Sequence, residues 1–377
     1  MKFTKLSLIA ALAVTSAMAG ESTITGDAKL FYGTTDAGNA DLFSKSTNTM
    51  GDAAVSLDYS RDIADGITFN AGMTGITTLG LEDTLVGATW VDHALKDRVW
   101  LDVANVTAKL ANTTAVIGRQ KLDTPLAFTE TWNIVDNTFD AFTFVNNDIA
   151  DTTLVASAVT RANGDGQFTN IQGGMADLGE AIYAFGAVSK LTPTITAQAW
   201  YYNQTSADNK VWLQADAGVA DGVTVGAQYV QVMADAGDDS SVAAAKLGYA
   251  ANGMDLYAAY SKADDKGTSN FANYGGYGGS KLYTEAWWNF GFVSKPGAQA
   301  IAVGASSNLA DLGLTAQYTS VTNDSNAAAD EMNEITLTAT KKVGPVDATL
   351  ALINTSSDDN SLDGNTVQAY LTVPFSL

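Results

Sequence analysis

From residue 22 onward the chain alternates apolar and polar residues in runs of roughly ten, each bounded by turn residues. The last run, Asn365 to Leu377, shows the pattern most plainly. Val367, Ala369, Leu371, Val373, Phe375 and Leu377 fall on one face, and Thr366, Gln368, Tyr370, Thr372, Pro374 and Ser376 on the other. Side chains of a strand point to opposite faces in turn, so this run predicts a strand with one apolar and one wet side. Similar runs fall near 22–34, 52–62, 67–79, 98–109, 113–120, 139–148, 152–162, 180–191, 194–204 and 210–220. They continue near 223–235, 241–251, 254–265, 299–308, 312–323, 333–343, 346–356 and 365–377. That is eighteen strands, with sixteen as the alternative count, and an even number lets an antiparallel sheet close on itself.

The connections between these runs are of two kinds. Those at 63–66, 110–112, 149–151, 192–193, 221–222, 252–253, 309–311 and 344–345 are short, and several carry Asp-Gly or Asn-Gly, the residues of tight hairpins. The alternate ones at 35–51, 80–97, 121–138, 163–179 and 266–298 are long. Short turns on one side and long loops on the other are the habit of a transmembrane barrel, and a soluble sandwich has no cause to sort its loops this way. Pro125, Pro193, Pro296 and Pro345 fall in predicted connections, where no ladder N–H is required. Pro374 is the exception, near the end of the last run. Tyr229, Tyr260 and Tyr318 each lie seven residues past a turn residue, a spacing that predicts an aromatic girdle near the outer edge of the apolar band.

Residues 1–19 read as an export signal: Lys2 and Lys5, an apolar stretch from Leu6 to Val14, then Ala17-Met18-Ala19. The rest, 20–377, shows no break in composition and predicts a single domain. No other segment approaches the ~20 continuous apolar residues of a membrane helix, so a membrane location requires strands closed into a barrel. The expected fold is therefore all-β, a single transmembrane antiparallel β-barrel.

Charge narrows the partners. The chain has 20 Lys and Arg against 41 Asp and Glu, and without Lys2 and Lys5 the balance is 18 − 41 = −23. Nucleic acid is not an expected partner, because phosphate binding needs clustered basic residues. An acidic vestibule would instead concentrate cations. There is no cysteine, hence no disulfide and no thiolate metal site. His93 is the single histidine, in a long charged loop, and without a second His or any Cys a nucleophile has no convincing base. No catalytic residue, cofactor or metal is expected. Asp359 to Gly364 resembles the start of a calcium loop, but Tyr370 stands where the twelfth-position acid belongs. A solvated acidic tip is the plainer reading.

The long connection at 121–138 differs from the others. Leu126, Phe128, Trp132 and Ile134 are apolar, an odd choice for a loop in water. Folding inward against the barrel wall, so that it narrows the channel, would explain them.

Around this loop the Gly118-Arg119-Gln120-Lys121-Leu122 and Asn137-Thr138-Phe139-Asp140 runs, with the signal and the closing strand, resemble OprD-type outer-membrane porins, especially the major porins of epsilon-proteobacteria. The resemblance implies an eighteen-stranded barrel whose third loop constricts the pore beside a basic ladder. It places Arg119 and Lys121 on a basic side and Asp123, Glu130 and Asp136 on an acidic side. A homotrimer is the family's habit. Leu377 departs from the terminal aromatic of many outer-membrane barrels, though Phe375 stands two places earlier on the same face.

Together these features predict a porin of the Gram-negative outer membrane, in contact with lipid and lipopolysaccharide, passing small hydrophilic solutes and ions with a preference for cations. Thr366, Gln368 and Thr372 would face the channel. The free end with Tyr370, Phe375 and Leu377 would be the mark read by the outer-membrane assembly machinery. A substrate-specific channel for small organic acids or amino acids, and a surface adhesin or structural barrel with a plugged lumen, are the alternatives. The loop at 266–298, rich in Gly, Tyr and Trp, suits either surface recognition or a lid.

Overall fold

The computed structural model describes residues 22–45, 48–87, 97–131, 134–164, 175–204, 208–266, 271–276, 278–323 and 331–377. Eighteen strands follow one another along the chain. They are β1 (Ser22–Thr35), β2 (Thr49–Ala64), β3 (Ile67–Thr77), β4 (Arg98–Leu110), β5 (Thr113–Gln120) and β6 (Phe139–Asn146). Next come β7 (Thr152–Ala162), β8 (Ala176–Thr192), β9 (Ile195–Gln204), β10 (Asn209–Ala220), β11 (Val223–Met233) and β12 (Ser240–Ala251). The last six are β13 (Met254–Ala263), β14 (Ala298–Leu309), β15 (Leu312–Asn323), β16 (Glu331–Val343), β17 (Val346–Ser357) and β18 (Gly364–Ser376). The count is the expected eighteen; the largest boundary difference is at β8, which starts at 176 rather than 180.

Every strand pairs antiparallel with its neighbours in sequence, and β18 returns to β1 in a register running from Thr25↔Ser376 to Thr35↔Thr366. The sheet therefore has no free edge, which is the condition for placing strands in hydrocarbon. The eight tight connections lie at one end and the longer ones at the other. Asn252 and Gly253 both adopt positive φ (52° and 75°), the primed turn whose twist matches that of the strands.

Alternation sorts the side chains. Leu30, Leu57, Ile117, Phe142, Leu247, Ile301, Leu337, Leu352 and Leu371 all stand exposed on the outer face. Thr74, Asn105, Gln228, Ser261, Thr319 and Gln368 are buried on the inner one. A surface with this much large apolar residue is at home in lipid, not in water. Tyr229, Tyr260 and Tyr318 are on the outer face. Tyr260 stands opposite Ile301, whose other partner is Ser320, so Tyr318 is offset by two residues over two strands. Tyr229 stands opposite Ala243, whose other partner is Lys262, and Tyr260 is again offset by two. Tilted strands need such a stagger to hold a ring at one height.

At the seam a Cβ on Gly26 would stand 2.2 Å from the Ser56 carbonyl oxygen and 2.8 Å from the Phe375 ring, so the backbone of β2 and this aromatic together require glycine there. Pro374 interrupts nothing on the β17 side, because pairing with β17 stops at Thr372. Leu377, beyond the strand, still donates its N–H to the Ile24 carbonyl at 2.9 Å.

Candidate functional site: the channel constriction

The 121–138 segment folds into the barrel and touches two walls. Leu122, Leu126 and Ala127 are buried in one cluster with Val159, Ile182, Tyr202 and Trp212 of β7 to β10. Ile134 and Val135 are buried in another, with Phe31, Ala54, Ile76 and Trp100 of β1 to β4. Burying a Leu or Ile against a wall stabilises by roughly 1.5–3 kcal/mol each, which fastens the segment at both ends. The apolar residues that looked misplaced in a loop are the ones that dock it. Trp132 lies outside the described residues, as does His93.

The described residues of a second segment, 264–266, 271–276 and 278–297, also fold inward. Phe271, Leu282, Ala286 and Val293 join the first cluster beside Val232, Val242 and Met332. Polar wall residues hold its backbone. Glu334 on β16 accepts hydrogen bonds from the N–H groups of Trp287 (2.9 Å), Trp288 (3.0 Å) and Asn289 (2.7 Å), and from Asn289 Nδ2 (3.0 Å). Gln228 on β11 accepts the Tyr283 N–H at 3.0 Å and donates to the Lys281 carbonyl at 2.9 Å. Its composition leaves surface recognition and a lid open, and its described residues pack inside the barrel.

The two segments are locked to each other. The Phe128 N–H donates to Asn273 Oδ1 (2.9 Å), Asn273 Nδ2 donates to the Phe128 carbonyl (2.7 Å), and the Tyr274 N–H donates to the Leu126 carbonyl (2.7 Å). Lys281 forms an ion pair with Asp123 and lies 4.8 Å from the centre of the Phe128 ring. Asp123, Gln214, Asp216, Lys246, Lys281 and Tyr283 line a lumenal cavity of about 610 Å³. Tyr283 donates its hydroxyl to Asp216 at 2.7 Å.

The residues that resemblance assigned to two opposed sides are arranged differently. Lys121 Nζ donates to Asp136 Oδ2 at 2.7 Å, so this basic and this acidic residue neutralise each other on one loop. Burial opposes the charge on Lys121, but Asp136, with Asp58 and Asp102 behind it, outweighs burial and raises its pKa above the ordinary value. Asp123, two residues from Lys121 on the same segment, pairs instead with Lys281. Glu130 does not line the lumen: it is 2% exposed, and its Oε1 accepts from Asn273 Nδ2 at 2.9 Å. Its expected place on the acidic side is corrected to a joint between the two inward segments.

Arg119 is a second correction. Phe139 and Ala141 on β6 point inward, so Asp140 between them points outward. Its register partners Arg119 and Arg161 share that face. Arg119 Nε lies 2.9 Å and Arg161 Nη2 2.5 Å from the Asp140 carboxylate. Alternation along β5, with Gln120 rather than Arg119 facing inward, decides this.

On β18 the inner face carries Thr366, Gln368, Tyr370 and Thr372. Gln368 is fully buried and accepts the Tyr370 hydroxyl at 2.8 Å, while the Tyr370 ring sits 5.1 Å from Phe31. Thr366 is also buried, and Thr372 stands opposite Lys29.

Sequence reasoning missed Lys281, Lys246, Tyr283 and Glu285; Glu334, which with Asp330 and Glu331 reads in the sequence as a solvated acidic tip, is instead buried. Glu285 is buried in the 264–297 segment, where desolvation pushes its pKa up to about 7 although Ser280, Gly291 and Ala286 hydrogen-bond the carboxylate. Burial lowers the pKa of Lys281, with Asp123 opposing the shift. Alternation shows that Glu334 shares an inward face with Met332 and Thr336, but nothing local identifies the loop it holds.

No protein-family model and no curated protein sequence matches the chain. Solved structures do. OccK8 (OprE) of Pseudomonas aeruginosa superposes with a TM-score of 0.79 at 16% identity, over 96% of this chain and 100% of that one. The outer membrane protein OpdK of the same organism gives 0.78 at 13% identity, over 96% and 100%. OccAB1 of Acinetobacter baumannii gives 0.77 at 14%, over 97% and 99%. The chain has the fold of these outer-membrane proteins. One OpdK structure contains vanillate. At the level of fold the expected likeness to OprD-type porins is met.

Proposed function

We propose that the protein is an outer-membrane porin, exported by a cleaved leader, that passes small hydrophilic solutes and ions by diffusion and prefers cations. The observation that carries this reading is a closed eighteen-stranded barrel with an apolar outside, two segments docked inside it and a cavity of about 610 Å³ beside them. Asp123, Asp136, Lys121 and Lys281 form the charged edge of the narrowing. The cation preference rests on the −23 balance and on the carboxylates Asp27, Asp58 and Asp102 on the inner wall of β1 to β4. Nearness to the epsilon-proteobacterial porins and assembly as a trimer belong to the same reading.

The purified protein in a planar bilayer is expected to give stepwise channels with a reversal potential of cationic sign in a KCl gradient. Absence of steps, or anion selectivity, refutes it. A substrate-specific channel is the second reading, favoured by the lumenal cavity in which Lys246, Lys281, Gln228 and Tyr283 converge. Saturable uptake and block of the current by a small carboxylate would establish that in its place.

A further inference from the structure

On the β1 to β4 wall two carboxylates face each other across a missing side chain. Asp58 stands on β2 and Asp102 on β4, with Gly72 of β3 between them, opposite Asp58 in the ladder. A Cβ on Gly72 would lie 2.6 Å from Asp58 Oδ1 and 2.6 Å from Asp102 Oδ1. Glycine at this position thus opens the gap into which both oxygens point. Thr74, the next inward residue of β3, donates its hydroxyl to Asp102 Oδ2. Asp102 Oδ1 has no hydrogen-bond partner, although Asp102 is only 7% exposed.

A buried carboxylate oxygen without a donor is costly, and a second carboxylate aimed at the same gap adds repulsion. The nearest ammonium, Lys121, eases this through its field at Asp58, but its hydrogen bond goes to Asp136 at 2.7 Å, so Asp102 Oδ1 is left without a donor. Asp27 and Asp136 add their own negative fields at Asp58. The gap lies two residues from Trp100, which packs under the third loop, on the side of the 111–112 turn. A cation crossing the narrowing would meet it next.

We propose that the Gly72 gap is a cation-binding subsite of the channel, with Asp58 and Asp102 as oxygen donors to a monovalent inorganic cation or to the ammonium group of a solute. Two carboxylates and a hydroxyl are too few for a hard divalent ion, which takes six or more oxygens from a site. Among the described residues no three His, Cys, Asp or Glu come together as metal ligands. The subsite rests on the channel reading, and it turns a diffuse preference for cations into a location.

The test uses the full-length protein in planar bilayers. Wild-type conductance is measured against KCl concentration, and the cation-to-chloride permeability ratio is measured in KCl and in methylammonium chloride gradients. Wild type is expected to show conductance that saturates at low salt. D58N/D102N is expected to lose that saturation and to lower the permeability ratio about three- to tenfold, the size of two charges acting across a narrow wet pore. G72A keeps both carboxylates but puts a methyl in the gap, so a shift in the same direction is expected from it. D311N, at an exposed turn, is the control and is expected to change nothing. Loss for both cations identifies the ammonium group as a ligand too; loss for K⁺ alone restricts the subsite to inorganic ions. Channels of normal step size whose saturation and ratio are unmoved in G72A and D58N/D102N overturn the subsite while leaving the porin standing. Absence of channels in wild type overturns the porin itself.

Discussion

Glu334 offers the most direct test of how the lumen is shaped. Its two oxygens accept four hydrogen bonds from the 286–289 stretch: Trp287 and Trp288 at Oε1, and the Asn289 backbone and side chain at Oε2. Thr336 adds a fifth to Oε1 at 3.0 Å. Glu334→Gln keeps the shape but can offer only one oxygen, so its NH₂ group must face two donors. Hydrogen bonds to a charged acceptor contribute about 1.5–3 kcal/mol each, so two lost bonds amount to roughly 3–6 kcal/mol before water compensates. Lumenal water reaches the released donors once the segment lifts, which leaves a net shift of about 2 kcal/mol. At 1.36 kcal/mol per decade this raises the undocked population roughly thirtyfold. The segment blocks part of the cross-section, so its undocking is read as brief openings to a higher conductance in single-channel records. It should also appear as faster protease cleavage within 264–297 in intact outer membranes. If E334Q channels match wild type in step size, open-channel noise and protease resistance, Glu334 is not what holds the segment.

Other outcomes follow from the same geometry. Glu285 has a pKa raised to about 7 by burial, so the folded segment favours its protonated form. That stabilisation is full below the ordinary carboxylate value and is lost as pH rises through about 7. Channels are therefore expected to be quieter at acidic than at alkaline pH, and Glu285→Gln should flatten the dependence in current recordings. Lys281→Met removes a positive charge from the cavity and the tie to Asp123, so reversal potentials should move further towards cations, about two- to fivefold in permeability ratio. Lys121→Met should shift selectivity the same way. Arg119→Leu, whose guanidinium lies on the outer wall, should leave the ratio within about 20%. Equal effects of the two substitutions would mean that alternation along β5 has been read on the wrong face.

The fold was legible because a lipid-facing barrel imposes a period of two on every strand, and a period can be counted without knowing what touches what. Residues 98–110 and 331–343 show it as clearly as the closing strand does. The turns were equally legible, since Asn252-Gly253 carries its positive φ requirement in its composition. The constriction was legible only in outline: Leu126, Phe128 and Ile134 marked the 121–138 segment as one that seeks a wall. Which wall, and which charge meets which, was not.

Local sequence thus determined the strand count, the two-faced wall and the order of short and long connections, because each depends on neighbours in the chain. Tertiary structure decided the rest. It paired Lys121 with Asp136 rather than setting them across the pore, buried Glu130 against Asn273, some 140 residues away in the chain, and turned Arg119 outward with Asp140 and Arg161. It also brought Glu334 beneath a loop more than forty residues earlier and set Asp58 and Asp102 on either side of Gly72. These contacts join residues far apart in sequence, and their geometry exists only once the sheet has closed.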